Sequence, residues 1–558
     1  MHVSDQGSIN TVMKKALFLL FLILYFFVSC SSSRIKPDDG VYELKIFETT
    51  DIHGSLFDIG NGEVFYSMAY ISDKVNDYRN DDGSNVILLD SGDLYQGNSY
   101  STLIQGESIA AMLDIMKYDA VSVGNHEFDW GIETVVDGDG TIRSYDLGPY
   151  SGEGKTPVIN SNIINNGTSS FSPYVILDKA AFLQDGASIP VSVAVVGIAD
   201  DYSSSILDSR FRALGYAVDP DTGKAERLAE MLKREMSCDA VIALVHADAE
   251  VFARRLSEDS PFDIVIGGHS HIFKKGCAEN GTAYIEGGSN AKGYADAILQ
   301  FNVENGMISG VNVTDASAAE IRDRSVLLLT EYNTEDFDLR IIELSDAAIE
   351  KNRTFLDEPI GVISASLTKA PIGNNKLSSA LGNFISHYMA LAVDAEIGIT
   401  NNGGLRKEVI TDGEYTLRVG DIFDICPFGN TIYKYSLTLS ELLPILEYAA
   451  SGSGSLRLSG MDVYYGRASV RSLEYKGEKV YENGIWLNDA GSITTTVAVN
   501  SYIATMKDSP FAPYNCAPWL LENTRVDNEE IVRVLREVTA QDPYAISVDP
   551  EPHMINVQ

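Results

Sequence analysis

Up to about Gln300, short apolar runs rich in β-branched residues each end in a polar tip, and no other feature constrains the fold as tightly. VYELKIFETT (41–50) runs into Asp51-Ile52-His53, and VILLD (86–90) into Ser91-Gly92-Asp93. Ala120–Val123 leads to Gly124-Asn125-His126-Glu127, AVIALV (240–245) ends on His246, and DIVIGG (263–268) on His269-Ser270-His271. VSVAVVGIA (191–199) has the same apolar body. Runs of this kind, without strict alternation, read as strands buried on both faces. Amphipathic stretches at Phe65–Tyr78 and Ser108–Tyr118 read as helices between them. The expected class is α/β, a sheet core covered by helices. Asp137–Gly154, rich in glycine and polar residues, reads as a surface insertion.

Five of the eight histidines lie at these strand tips. In an α/β sheet the carboxyl ends of strands meet at one crevice, so ligands from five strands can converge there. Imidazoles and carboxylates suit two divalent cations, and a shared aspartate can bridge ions about 3.5–4 Å apart. The two-residue spacing of Asp51/His53 and of His269/His271 lets both side chains leave the same side of extended backbone. Glycines at 92, 124, 267 and 268 allow sharp turns and close approach beside the ions. One histidine ending a strand is more often a hydrogen-bonded packing residue, and a lone DxH or GD carries little. The ordered set carries the metal reading. No GxxxxGK[ST] segment is present, which disfavours a P-loop mechanism. A glycosidase pair of carboxylates leaves the histidines unexplained.

The series DxH, GDxxxG, GNHE, a lone His and GHxH resembles the calcineurin-like metallophosphoesterases. With Phe128-Asp129 completing GNHEFD, it is closer to the 5′-nucleotidase branch, which includes periplasmic 2′,3′-cyclic-nucleotide phosphodiesterases. The resemblance covers most of residues 44–300 and implies a four-layer α/β/β/α metallophosphoesterase domain followed by a smaller α/β (α+β) nucleotide-binding domain. By likeness, Asp51, His53, Asp93 and His271 hold one ion, and Asp93, Asn125, His246 and His269 the other. His126 then stabilises the transferring phosphoryl group or helps the leaving oxygen, positioned by Asp129. The ions are two divalent metals, with Zn, Mn, Co and Ca not distinguished by these donors.

The 558 residues exceed one hydrophobic core, so at least two domains are expected. Apolar character breaks after about Thr314 and resumes at VISASL (362–367). This gives a first domain over 41–325, a linker or helix over 326–357 and a second domain over 358–545, with a loose tail after Ala545. Ser378–Leu391 and Leu439–Ala450 read as helices, AEIGITNN (395–402) and ITTTVAVN (493–500) as strands. With 79 acidic against 42 basic residues, the net charge of −37 repels a nucleic-acid backbone, so no polymeric nucleic acid is expected as partner. From Met13 the chain reads as a secretory signal over 13–29, with two lysines, an apolar run Ala16–Val28 and Ser29-Cys30. Cys30 resembles the lipidated cysteine of bacterial lipoproteins, which implies export and a membrane contact through that anchor alone. Residues 1–12 read as a mis-assigned start. Cys238, Cys277, Cys426 and Cys516 form no CxxC pair, and one long-range disulfide or four separate thiols both fit.

In the second half, ITNNGGLR (399–406) and CPFGN (426–430) stand out, although Asn-Gly-Gly alone is a turn and Phe428 alone could be packing. They resemble the C-terminal domain of 5′-nucleotidases, which binds the nucleoside. By that likeness Asn401 and Arg406 contact substrate, Phe428 and Tyr502 stack on the base, and Asp508 accepts hydrogen bonds from ribose hydroxyls. Two departures stand against the pattern. Met506-Lys507 replace two family glycines, and NNKLSSALGNF (374–384) lacks the arginines of the family, with Lys376 the nearest cation. The expected substrate is a nucleotide 5′-phosphate. A 2′,3′-cyclic nucleotide with 3′-nucleotidase activity, or a UDP-sugar, is the alternative. A thiosulfate-ester hydrolase and a catalytically inactive surface-binding lipoprotein are the competing classes, opposed by the aromatic pair and the intact metal set respectively. Oligomeric state is not readable.

Overall fold

A computed structural model of the chain describes residues 36–60, 63–80, 82–128, 131–147, 149–165, 168–169, 171–199, 215–219, 221–506, 509–514, 517–518 and 526–557. Three of the residues singled out above, Cys30, Asp129 and Asp508, lie outside them, as do the signal segment and Cys516.

The first half opens with β1 (Gly40–Thr49), α1 (Ser67–Asn76), β2 (Val86–Asp90), α2 (Glu107–Met116), β3 (Ala120–Ser122) and β4 (Val158–Ile159). There follow β5 (Tyr174–Phe182), β6 (Ser188–Ala199), α3 (Thr222–Arg234), β7 (Ala240–His246), α4 (Ala249–Arg255) and β8 (Ile264–Gly267). The half ends on β9 (Phe273–Cys277), β10 (Ala283–Gly287), β11 (Gly293–Glu304), β12 (Met307–Glu320) and α5 (Leu339–Leu356). All twelve strands are hydrogen-bonded into one sheet, in the order β9-β10-β8-β7-β6-β5-β1-β2-β3-β4, with β11 and β12 branching from β1. The tip-carrying strands pair in parallel with one another or with the next strand of the sheet, with Thr49 of β1 opposite Asp90 of β2 and Ala199 of β6 opposite His246 of β7, while β1 is antiparallel to β5 and β11.

The sheet folds on itself, because its strands alternate their faces. Leu44 and Ile46 of β1, with Ile87 and Leu89 of β2, meet Val193, Ile242, Leu244 and Ile264 from the other half of the sheet. Phe47 and Leu88 point the opposite way, onto Met68 and Ile71 of α1 and Ile109 and Met112 of α2. On the far side Val196, Val245 and Val265 pack on Leu232 of α3 and Phe252 of α4. Three cores between four layers give the α/β/β/α arrangement. The polar segment at 137–154 holds a short hairpin, Tyr145–Leu147 with Tyr150–Gly152.

Helix α5 is capped by Asp338, whose carboxylate accepts the Arg340 N–H. Its Ile341, Leu344 and Ala348 join the core of α1 and α2. The second half then begins with β13 (Pro359–Ile363) and α6 (Ala380–Ala392). Its central sheet sets β14 (Ile397–Asn401) parallel to the later strand Thr494–Asn500, which pairs in turn with Ile432–Thr438. This half is the smaller α/β domain.

The end of the chain is not loose. Met554–Asn556 form a strand parallel to Asp462–Gly466, with Met554 opposite Val463. The Asn383 Nδ2 group donates to the Glu551 carbonyl at 2.7 Å, and Ser547 N–H donates to the Tyr388 hydroxyl at 2.9 Å. His553 lies between Asp462 (2.7 Å) and Asp549 (3.1 Å). Two of these bonds join tail backbone to side chains of α6, and no periodicity of the tail's own sequence announces them. Cys238, Cys277 and Cys426 are free thiols. Among the described residues no helix is long and apolar enough to cross a membrane.

Candidate functional site

The strand tips converge as their positions require. Asp51 and His53 follow β1, Asp93 follows β2, and Asn125 and His126 follow β3. His246 ends β7, and His269 and His271 follow β8. Two triads result, Asp51/His53/His271 and Asp93/His246/His269, each with its ligand atoms within 4.8 Å of one another. Asp93 Oδ2 lies 3.3 Å from His246 Nε2 and 4.0 Å from His53 Nε2, so this carboxylate faces both groups. Asn125 Oδ1 stands 3.0 Å from His246 Nε2, in the same group.

The donors fit a pair of divalent cations in several independent ways. His53 Nδ1 lies 2.8 Å from the Gln96 carbonyl and His246 Nδ1 lies 2.9 Å from that of Ser91. A carbonyl can only accept, so each Nδ1 carries the hydrogen, leaving Nε2 to act as ligand. Asp51 Oδ1 is buried and faces the Nε2 atoms of His271 (3.2 Å) and His53 (3.9 Å), while Oδ2 accepts from His269 N–H and Thr50 Oγ1. Burial pushes His53 down to about 3 and His269 down to about 4, keeping both neutral as ligands must be. His246 goes the other way, up to about 10, since Asp93, Asp51 and Glu127 outweigh burial. That surplus of negative charge is what a cation neutralises. A Cβ on Gly124 would strike Asp93 and His246, so the closeness of the third tip depends on glycine. The carboxylate and imidazole donors of the two triads suit a binuclear metal centre.

Glu127 was not assigned a role by its motif, yet it organises the second tip. Its carboxylate accepts N–H bonds from Asp93 (2.9 Å), Leu94 (2.8 Å) and Gly124 (2.7 Å). Burial and the neighbouring Asp93 raise it to about 7, against the pull of those N–H groups.

The second half closes over this centre. The Phe428 ring stacks on His126 with centroids 5.2 Å apart and planes 27° apart. The Arg406 guanidinium carbon lies over the same ring, 5.2 Å from its centroid. Burial holds this guanidinium below the usual arginine range, against the opposing pull of Asp93 and Asp51. Asn401 is buried, with Oδ1 accepting from Asn500 Nδ2 at 3.0 Å. Tyr502 is 41% exposed and forms no ring contact with Phe428. The structure thus joins Arg406 and Phe428 to the metal centre. Lys376 is exposed. Sequence reading missed the bonds that hold the halves together: Gln96 Nε2 donates to the Pro427 carbonyl at 2.5 Å, and Ser99 donates to Asp424, which also pairs with Lys407 at 2.7 Å. Gln96 lies three residues past Asp93, the only hint the motif offered.

Comparison with known proteins agrees with this geometry. Residues 44–273 match the calcineurin-like phosphoesterase family, and residues 359–514 match the 5′-nucleotidase C-terminal domain. The chain is similar to the trifunctional nucleotide phosphoesterase protein YfkN of Bacillus subtilis, 26% identical over 518 residues. That alignment covers 86% of this chain and 33% of YfkN, so the chain spans about a third of this relative's length. A 5′-nucleotidase of Vibrio parahaemolyticus is 24% identical over 453 residues, covering 74% of this chain and 76% of its own. The crystal structure of a 5′-nucleotidase precursor from Thermus thermophilus shares the fold. Its TM-score is 0.64 at 18% identity, with 93% of this chain and 100% of that one covered.

Proposed function

Because this chain belongs to the 5′-nucleotidase superfamily, a calcineurin-like phosphoesterase domain joined to a 5′-nucleotidase C-terminal domain, we propose that it hydrolyses phosphate esters of nucleotides, releasing nucleoside and phosphate. The observation that carries this reading is the approach of Arg406 and Phe428 to His126 beside the two triads. An arginine and a planar ring next to a cation pair suit a ligand with a phosphate at one end and a base at the other.

Asp51, His53, Asp93 and His271 would hold one ion, and Asp93, Asn125, His246 and His269 the other. Bound, the ions supply Lewis acidity, which lowers the pKa of a water and neutralises charge on phosphoryl oxygens. His126 has its backbone N–H on Asp93 Oδ1 at 2.8 Å, which fixes its ring beside the centre. From there its imidazole would stabilise the transferring phosphoryl group or give a proton to the leaving oxygen, with Asp129 as its orienting partner. Arg406 would bind the phosphate, Phe428 and Tyr502 the base, and Asn401 and Asp508 the sugar side of the substrate.

A second reading has its own support. The segment 374–384 offers only the exposed Lys376 where the family has arginines, so a substrate needing less cationic grip, a 2′,3′-cyclic nucleotide, is the alternative. Side-by-side turnover of AMP, 2′,3′-cyclic AMP, UDP-glucose and a chromogenic diester with added Mn²⁺ or Zn²⁺ decides between them. Preference for AMP supports the 5′-nucleotidase reading, preference for the diesters replaces it, and no turnover on any removes the nucleotide claim. The leader at 13–29 supports export, and Cys30 is our candidate for a lipid anchor. Replacing Cys30 by Ala should release the protein from the membrane fraction. Continued sedimentation with membranes argues against the anchor.

A further inference from the structure

His246 and the pair His269/His271 sit on two separate loops, after β7 and after β8. One side chain touches both. Glu286 of β10 is fully buried, opposite Gly267 at the end of β8. One of its oxygens accepts a short hydrogen bond from Ser270 Oγ, and the other accepts the Ala249 N–H at 3.1 Å. Ser270 stands between His269 and His271, while Ala249 opens α4 three residues past His246.

The first turn of α4 already has a cap in Asp248, whose carboxylate accepts the Val251 N–H at 3.1 Å. A buried carboxyl is costly to place unless its hydrogen bonds are made, and these two are the bonds it makes. Both neighbours of Ser270 are in left-handed backbone, His269 at φ 68° and His271 at φ 58°. Non-glycine residues persist there only when the surroundings hold them. A tether on the residue between them restrains both at once.

We infer that Glu286 is a positioning residue for the metal centre: it locks the Ser270 turn to the start of α4, and so fixes His246, His269 and His271 relative to one another. This rests on the reading of those histidines as ligands. The experiment measures Zn²⁺ and Co²⁺ affinity of the full chain by competition with a chromophoric chelator, with the visible Co²⁺ spectrum alongside. Glu286→Ala and Ser270→Ala should each weaken binding by about 10- to 100-fold and change the Co²⁺ spectrum. The double variant should bind no worse than Glu286→Ala alone, since both remove one device. Glu286→Gln keeps an acceptor for Ser270 but turns its NH₂ against the Ala249 N–H, so it should fall between wild type and Glu286→Ala. Wild-type affinity and spectrum in Ser270→Ala and Glu286→Gln, with only the melting temperature lowered, overturn the inference. His246→Ala is the control: if it too keeps both ions, the ligand reading itself fails rather than the clamp.

Discussion

Five candidate metal ligands, Asp51, His53, Asp93, His269 and His271, stand at positive φ between 49° and 68°, whereas Asn401, Arg406, Phe428 and Tyr502 all have ordinary backbone. The first group is held by buried strand ends and N–H bonds to Asp51, Asp93 and Glu127, which over-determine a conformation that costs about 1–3 kcal/mol per residue elsewhere. Such a site arrives already shaped for charge that develops in the reaction. The second group sits at a strand end (Asn401), in loops (Arg406, Phe428) and in a short helix (Tyr502), and reaches the metal centre through Phe428 on His126. The difference teaches where specificity can vary. Changes in the second half can alter which ester is accepted without disturbing the metals, and changes in the first half cannot be so confined.

The comparison can be broken most directly at its rigid end. Asp93→Ala should remove turnover by several orders of magnitude and lower the metal content at both positions, read by elemental analysis of the purified protein. An active Asp93→Ala variant means that Asp93 does not bridge. His126→Ala should keep both metals and lower kcat by about 10²-fold; loss of metal instead would make His126 part of the binding set. Phe428→Ala tests the adaptable end. It should weaken nucleotide turnover by about 1–3 kcal/mol, the range for lost base stacking, and spare a small ester with no base. Equal losses on both esters would falsify the stacking role and make Phe428 a packing residue of the first half. The smallest effect is expected from Gln96→Ala, which removes one bond between halves, on the order of 1 kcal/mol. X-ray scattering in solution should then show a more open molecule, and an unchanged profile means the Gln96–Pro427 bond does not hold the closed arrangement.

The metal centre was legible in the sequence because its residue types are rare and its strands announce themselves. Asp51, His53, Asp93, His246, His269 and His271 each end a run of apolar residues, and parallel strands bring such ends together. Glu127 and Glu286 were less visible, since a carboxylate that serves backbone N–H groups leaves no spacing signature. The same holds for Ser99, Gln96 and Asp424, whose partners lie more than 300 residues away. Helices such as Leu439–Ala450 were readable from the sequence, and the structure adds the capping box that Thr438 and Glu441 form at its start. The docked tail was not readable, because other residues' side chains fix it.

The strand Met554–Asn556 has a consequence beyond its own few bonds. It covers Asp462–Gly466, which would otherwise be the outer strand of a four-stranded sheet. An uncovered strand offers its N–H and C=O groups to any other chain, which is how sheets begin to aggregate. A chain cut after Ala545 would therefore expose a sticky margin on the second domain while leaving every metal ligand in place. The segment after Ala545 acts as a guard on solubility, at the far end of the sequence from the metal ligands.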